Sequence, residues 1–390
     1  MSLLGRPALL LVALLVGLAA TPLAAAQGSQ GVSYRFEGRG FGHGVGMSQY
    51  GARGAAAAGL DAPAILAHYY RGTTLSTAPP AVLRVRLIER RRRATVRAGV
   101  PFTARAAGGR SVLLPAKRSF RARAAGRIIR LATGNGAVRL RGTSITLIPR
   151  RGGALNLNGR RYRGALLLQA VGRSRLNVIN RVDLERYLAG VLPKEVPAHW
   201  GDDTPEALRA QAIAARTYAL AFRRPLAPGF DLRSSVHAQV YGGRDAEDRR
   251  TTAAVRATRG RVLTFEGQII PALFFSTSGG RTENVENIFG GQPLPYLTSV
   301  PDPYDAGAPY HRRWPDPPRV SAARLGRLLG LGSPVASFTI TGRGASPRVL
   351  AAEVVTADGV VHAVTGEAVR RALGLRDTWF RVIRTPRAPA

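Results

Sequence analysis

Apolar and polar residues alternate along this chain with a period that changes several times. After residue 30, "VSYRFEGRG" alternates with period two, as a half-buried strand does. A glycine-rich loop follows. Asp61 then stands as an N-cap, with Pro63 in the first turn of a helix through "AILAHYY" that closes near Gly72. Between residues 80 and 180 the pattern is mostly short alternating or β-branched runs: "AVLRVRLI", "RATVRAGV", "SITLIPR", "GALLLQAV" and "RLNVINRV". A helical period takes over next. Asp183 is placed to cap "LERYLAGVL", which Pro193 should terminate. Thr204, followed by Pro205, should open a longer helix over "TPEALRAQAIAARTYALAFRR". Its stripe of Leu208, Ala212, Ala215, Ala219 and Phe222 is largely alanine, so another element can approach closely. Strand and loop return in "HAQVYGG" and in a hairpin over "RVLTFEGQIIPALFF", with a short helix near "RRTTAAVRAT" between them. Residues 320–384 read as a helix "AARLGRLLG", a hairpin about Asp358 and Gly359, and a helix "GEAVRRALG", with residues 385–390 as a disordered tail. The expected fold class is α+β: a mixed, β-rich core with a helical segment carrying the candidate chemistry, and an additional β-rich subdomain.

Composition narrows this picture. At 390 residues and 45% hydrophobic, the chain is long enough for one large domain or two to three ordinary ones. Residues 1–26 read as an export signal, with Arg6, an apolar stretch from Ala8 to Ala20 and the small run Ala24, Ala25, Ala26 before Gln27. The alternative is an uncleaved anchor, but that apolar stretch is short for a span of ~20 residues. The mature protein is therefore expected to be secreted or held in the cell wall, with no transmembrane anchor. No cysteine is present, which removes disulfides, thiol catalysis and cysteine-ligated zinc. The formal charge of +34 comes almost entirely from arginine. It suits a polyanionic partner, or it follows from the Ala, Arg, Gly and Pro usage of a GC-rich genome. Export argues against nucleic acid, and no RNP motif, zinc finger or basic heptad region is present. The anions that remain are those of a bacterial wall, its carboxylates and its wall-linked phosphates.

Three stretches could carry chemistry. In "YLAGVLPKEVPAHW", Pro193 and Pro197 stiffen the backbone around Glu195, while Val196 and Trp200 offer apolar surface that disfavours a charged carboxylate. A carboxyl kept protonated near neutral pH is what glycosidic cleavage needs as general acid. A structural salt bridge to an arginine is the more frequent use of such a residue. In "GRGFGHGVGMSQYGARG" the glycines let a ligand or another strand approach the backbone closely, and His43 and Gln49 are the polar groups that could meet a ligand. His43 reads equally as a buried histidine bonded to carbonyls. In "FFSTSGGRTENVE", small hydroxyl residues and glycines follow a buried strand. They suit sugar recognition or a structural loop, and the context is not a serine nucleophile elbow. The six histidines form no metal-ligand pair, His237 included, so no metal and no cofactor is expected.

Together, "NRVDLERYLAGVLPKEVPAHW", "PEALRAQAIAARTYAL", "AQVYGG", "FFSTSGGRTENVENIFGG…PYLTSV" and the glycine block resemble the SpoIID/LytB family. The resemblance covers most of residues 34–75 and 160–385. It implies a glycine block at 31–78, a β-rich subdomain at 79–180 and a catalytic region at 181–384. It implies a peptidoglycan lytic transglycosylase acting on glycan strands stripped of stem peptides, with Glu195 as its catalytic acid. It also implies a cleft near His43, Gln49, Gln211, Arg216, Tyr218, Gln239, Tyr241, Ser276, Ser278, Gly279, Gly280 and Thr282. Glycan strands and other wall hydrolases are the implied partners. The alternative within the family is a peptidoglycan-binding protein without activity, or an enhancer of an N-acetylmuramoyl-L-alanine amidase. Two departures stand out. The zinc site of some relatives uses cysteine, which is lacking here. The glycine block is N-terminal rather than following the segment "GEAVRRALGLRDTWFRV", so the order looks circularly permuted. "TWFRVIR" should then lie beside "VSYRFEG".

Overall fold

The computed structural model describes residues 31–223, 229–233 and 239–386; the expected signal at 1–26, His237 and the last four tail residues lie outside them. The two ends of the described chain are stitched together. Strand Ser33–Gly38 runs antiparallel to Phe380–Thr385, with Tyr34 opposite Arg384 and Phe36 opposite Val382. Thr385 is thus the last strand residue rather than the start of the tail. The fold is α+β and rich in strands, in several separate sheets.

Residues 82–183 form two antiparallel layers, one sheet of six strands and one of seven, the latter counting a short parallel strand Leu232–Arg233 at its edge. Strict alternation gives each strand one buried face: in Arg93–Ala98, Ala94, Val96 and Ala98 are buried while Arg93, Thr95 and Arg97 are exposed. Phe102, Phe120, Leu131, Leu147 and Leu168 fill the space between the layers. This core does not end with the sheets. It continues into Tyr187, Leu188 and Leu192 of helix Leu184–Glu195 and into Ala212, Ala215 and Ala219 of helix Pro205–Ala221. The other side of Pro205–Ala221, through Ala210, Ile213 and Ala214, packs on a second core with Ile65, Leu66 and Leu263. The alanine-rich helix is therefore the wall between two cores, which explains its small side chains. A third core joins Tyr34, Phe36, Trp314, Val354 and Phe380.

Four local expectations change. Pro193 does not end its helix, which runs to Glu195 and closes with the Val196 amide donating to the Leu192 carbonyl. A missing amide costs one hydrogen bond, and here the packing of Leu188, Val191 and Leu192 outweighs it. Thr204 makes no side-chain cap; its hydroxyl donates back to the Trp200 carbonyl, 3.0 Å away. Residues 49–57, inside the expected loop, are a helix capped by Ser48. Its Gly51 and Gly54 mislead because they are set by crowding: a Cβ would lie 2.1 Å from the Tyr69 hydroxyl at one and 1.9 Å from the Tyr304 carbonyl at the other. Residues 239–242 of "HAQVYGG" are not a strand. No helix among the described residues is long and apolar enough to cross a membrane.

Candidate functional site

Glu195 is the last residue of its helix, and it is half-buried. Asp183 caps the other end, accepting from the Glu185 and Arg186 amides at 3.1 and 3.3 Å. The loop at 239–243 lies across the helix because glycines let it. Gly190 accepts the Gly242 amide at 3.0 Å, and a Cβ on Gly190 would sit 2.7 Å from the Gly243 carbonyl and 2.8 Å from the Tyr241 ring. Gly243 itself has φ 66°, in the region that favours glycine. This docking brings the Val240 amide to 3.2 Å from Oε1 of Glu195.

Burial pushes the Glu195 carboxyl above its usual range, and the Val240 bond partly opposes this. The partial negative charge at a helix C-terminus also disfavours ionisation there. Among the described residues no arginine or lysine pairs with it. The adjacent Lys194 is exposed and runs along Gly242 instead. The salt-bridge reading of this residue therefore finds no partner.

Two phenols flank the carboxyl. Burial first, then the charge of Glu195, raises both Tyr187 and Tyr218. Tyr187 donates to Gln239 at 3.3 Å, and Gln239 donates to the Ala215 carbonyl at 3.1 Å, so Gln239 is a buried brace between two helices and the loop. Tyr241 is buried too; it donates to Asn180 at 3.0 Å, and its ring lies 4.9 Å from that of Tyr187. Tyr218 is half-buried. Gln211 sits two turns before Tyr218 on the same helix face. Both of its polar side-chain atoms are buried without a partner among the described residues. A native interior rarely leaves an amide unpaired.

The remaining sequence candidates divide. Gln49 opens the helix Gln49–Ala57, whose Tyr50 amide donates to the Ser276 carbonyl at 3.1 Å and whose Tyr50 ring lies 5.0 Å from Trp200. Arg216 does not face a ligand. It is wholly buried, forks onto Glu185 at 2.9 and 2.6 Å, and spends its other donors on carbonyls and Thr258. His43 takes its buried reading: Nε2 donates to the Phe274 carbonyl and Nδ1 accepts from the Val45 amide, both at 3.1 Å. Burial lowers its pKa to about 4, so the ring is neutral with no free nitrogen. The approach that the glycine block permits is by the protein itself. Gly40, Gly42, Gly44 and Gly46 all have positive φ, and Cβ atoms there would meet Asp377, Phe275, Arg348 and Leu273. Ser278, Gly279, Gly280 and Thr282 are structural as well. Ser278 and the Gly279 amide both donate to Asp305 (3.0 and 2.8 Å), Ser278 accepts the Gly280 amide, and Thr282 pairs with Val300.

Two features escaped sequence reasoning. The Val240 donor is a backbone amide, which carries no residue signature. The buried pair Asp302 and Asp305 had one signal, acids among prolines and tyrosines in "VPDPYDAG". Among the described residues no cluster of three or more His, Cys, Asp or Glu could hold a metal ion.

Residues 172–265 match a family model described as SpoIID, stage II sporulation protein. The chain is 32% identical over 222 residues to stage II sporulation protein D of Bacillus subtilis, a match covering 52% of this chain and 61% of that protein. It is 36% identical over 146 residues to an uncharacterized protein of Brachyspira hyodysenteriae (37% of this chain, 38% of that one). It is 37% identical over 118 residues to the amidase enhancer of Bacillus subtilis (30% and 15%). The chain thus spans less than two thirds of the length of each of these relatives.

Proposed function

We propose that this chain, which belongs to the SpoIID/LytB family and has a cell-wall-related role, is an extracytoplasmic lytic transglycosylase acting on peptidoglycan strands, with Glu195 as acid and then base. The observation that carries the reading is a helix-end carboxyl held by one backbone amide, unpaired with any described cation and pushed toward its neutral form. Protonated Glu195 donates to the oxygen linking N-acetylmuramic acid to N-acetylglucosamine, and the C1–O bond breaks as positive charge develops at C1. The ionised carboxylate then takes the proton of the C6 hydroxyl of the same muramyl residue as O6 bonds to C1. A 1,6-anhydro ring closes, no water is consumed, and Glu195 regains its proton. One carboxyl is enough, whereas hydrolysis calls for two. Tyr218, half-buried and within the field of Glu195, is the side chain placed to support the carboxyl.

A second reading follows from the relative named amidase enhancer: a wall-binding protein that helps another hydrolase and does no chemistry itself. Digestion of amidase-treated sacculi separates the two. Anhydro-muramyl products that vanish in Glu195→Gln support the enzyme; binding to sacculi with no product from the wild-type protein refutes it and leaves the enhancer.

A further inference from the structure

The excess of arginine has a use that Glu195 does not explain. On the third core, a cleft of about 1080 Å³ is lined by six arginines and one acid, Glu37. Glu37 is already shared: Arg35 reaches it at 3.1 Å and Arg381 at 2.6 Å. Arg39, Arg312, Arg313 and Arg343 make no ion pair among the described residues, and Arg312 and Arg313 are exposed. Guanidinium groups stay charged at every pH at which a protein folds, and their fork matches oxyanions.

The floor of the cleft is rigid. Strand residue Gly38 has no room for a Cβ, which would lie 2.4 Å from the Trp379 carbonyl and 2.5 Å from the Trp314 ring. Trp314 is buried and donates to the Gly40 carbonyl at 2.8 Å. The aromatic faces are taken: Arg39 lies 4.8 Å and Arg348 5.4 Å from the Trp379 ring, and Arg376 lies 4.7 Å from Tyr310. A sugar stacking on these rings would find them covered, so the cleft reads charge rather than ring faces. A stripped glycan brings one lactyl carboxylate per disaccharide. A polyol-phosphate chain brings a full charge with every short repeat, which fits guanidiniums crowded into one cleft.

We propose that this cleft is a second site, separate from Glu195, that binds the phosphodiester backbone of an anionic wall polymer. The site tethers the protein to the wall through phosphate while the glycan is handled elsewhere.

The test uses the mature chain, an oligo(glycerol phosphate) and an oligo(γ-glutamate) of equal charge, with affinity from calorimetry. Binding of the phosphate oligomer should weaken at least about 30-fold in Arg39→Gln/Arg312→Gln/Arg313→Gln. It should change by less than about 2-fold in Arg121→Gln/Arg123→Gln/Arg130→Gln, which removes the same charge from exposed positions on the β-rich layers. Two of the three tryptophans line the cleft, so binding should also change the fluorescence, and Trp379→Phe should remove much of that response. If the triple cleft variant melts early, the single exposed change Arg313→Glu should still weaken binding at least about 5-fold. Equal losses in the two triple variants, equal affinity for the glutamate oligomer, or no binding of the phosphate oligomer each overturn the proposal. Glu195→Gln should bind as the wild type does, so failure here and failure of the transglycosylase reading are distinct results.

Discussion

Gly190→Ala tests the geometry of the site without removing a titratable group; the new methyl presses on the Gly243 carbonyl and on the Tyr241 ring. The new methyl would lie 2.7 Å from the Gly243 carbonyl, against about 3.4 Å for an ordinary contact, so helix and loop must part by roughly 0.7 Å. The helix cannot yield, because Tyr187, Leu188, Val191 and Leu192 are wholly buried in the first core. The loop must move, and its far end is held by Arg161 on Asp245 and Arg163 on Glu247. The strain falls on residues 240–242 and lengthens the 3.2 Å bond from the Val240 amide to Glu195. Overpacking costs about 1–3 kcal/mol and alanine returns about 1 kcal/mol of helix propensity, for a net loss of about 0–2 kcal/mol. The proposed reaction should suffer more, since a misplacement approaching 1 Å is worth up to about 100-fold. Release of anhydro-muramyl products should fall about 10- to 100-fold while the protein stays folded. The sign of the pH effect is fixed as well. The Val240 bond favours the ionised carboxyl, so weakening it raises the Glu195 pKa further. A general acid works while protonated, so the loss of rate on the alkaline side should move to higher pH even as the maximum drops. Wild-type rates with an unshifted profile would refute the role given to the loop.

Two further predictions concern stability. Burial, with Asp305 adding to it, raises Asp302 from 3.8 to about 6. Its contribution is therefore fully present below about pH 4 and lost as pH rises through about 6, a span of about 3 kcal/mol. Asp302→Asn should match the wild type near pH 4 and exceed it by up to that amount at pH 8 in urea unfolding; parallel pH curves for the two proteins would sink the assignment. Arg348 and Asp377 form a wholly buried forked pair, at 2.9 and 2.8 Å. Arg348→Met strands the carboxylate and should cost about 3–5 kcal/mol by urea denaturation, with part recovered in Arg348→Met/Asp377→Leu. A loss below about 1 kcal/mol in the single variant would count against the pair as a keystone of the glycine block.

Alternation in the 80–180 region and alanine spacing in residues 205–221 were legible because period and residue size are local properties, and burial followed them. The pairing of "VSYRFEG" with "TWFRVIR" was legible only through the order of motifs, since nothing in either strand names its partner. What stayed hidden was the purpose of the glycines and of the small polar residues. Gly44 could equally have admitted a ligand, and only the folded chain shows Arg348 standing there. Ser278 and Thr282 look like sugar-binding hydroxyls in sequence, yet the acid and the carbonyl that occupy them come from a loop some 20 residues on. Residue type reports what a side chain can do; the neighbour that claims it is set by tertiary packing.

The charge of the chain makes the setting of Glu195 more telling. With 57 Lys and Arg against 23 Asp and Glu, an average carboxylate sits in a positive field that holds it ionised. Many acids here do have a cation beside them: Glu185, Asp231, Asp245, Glu247 and Asp377 each take an arginine. Burying a carboxyl at the C-terminal end of a helix, with no guanidinium beside it among the described residues, reverses the bias, and the one backbone amide that faces it opposes the reversal only in part. A cation introduced at this spot should undo it. Val240→Arg keeps the backbone amide and brings a guanidinium to the loop that faces Glu195. It should draw the carboxyl pKa down and move the alkaline loss of rate to lower pH, opposite to Gly190→Ala. Two variants at one helix–loop contact, Gly190→Ala on the helix and Val240→Arg on the loop, that shift the same limb in opposite directions separate an acid that acts through its proton from a contact that merely supports the fold. If both shifted the profile the same way, or neither did, the protonated state of Glu195 would not be the working one.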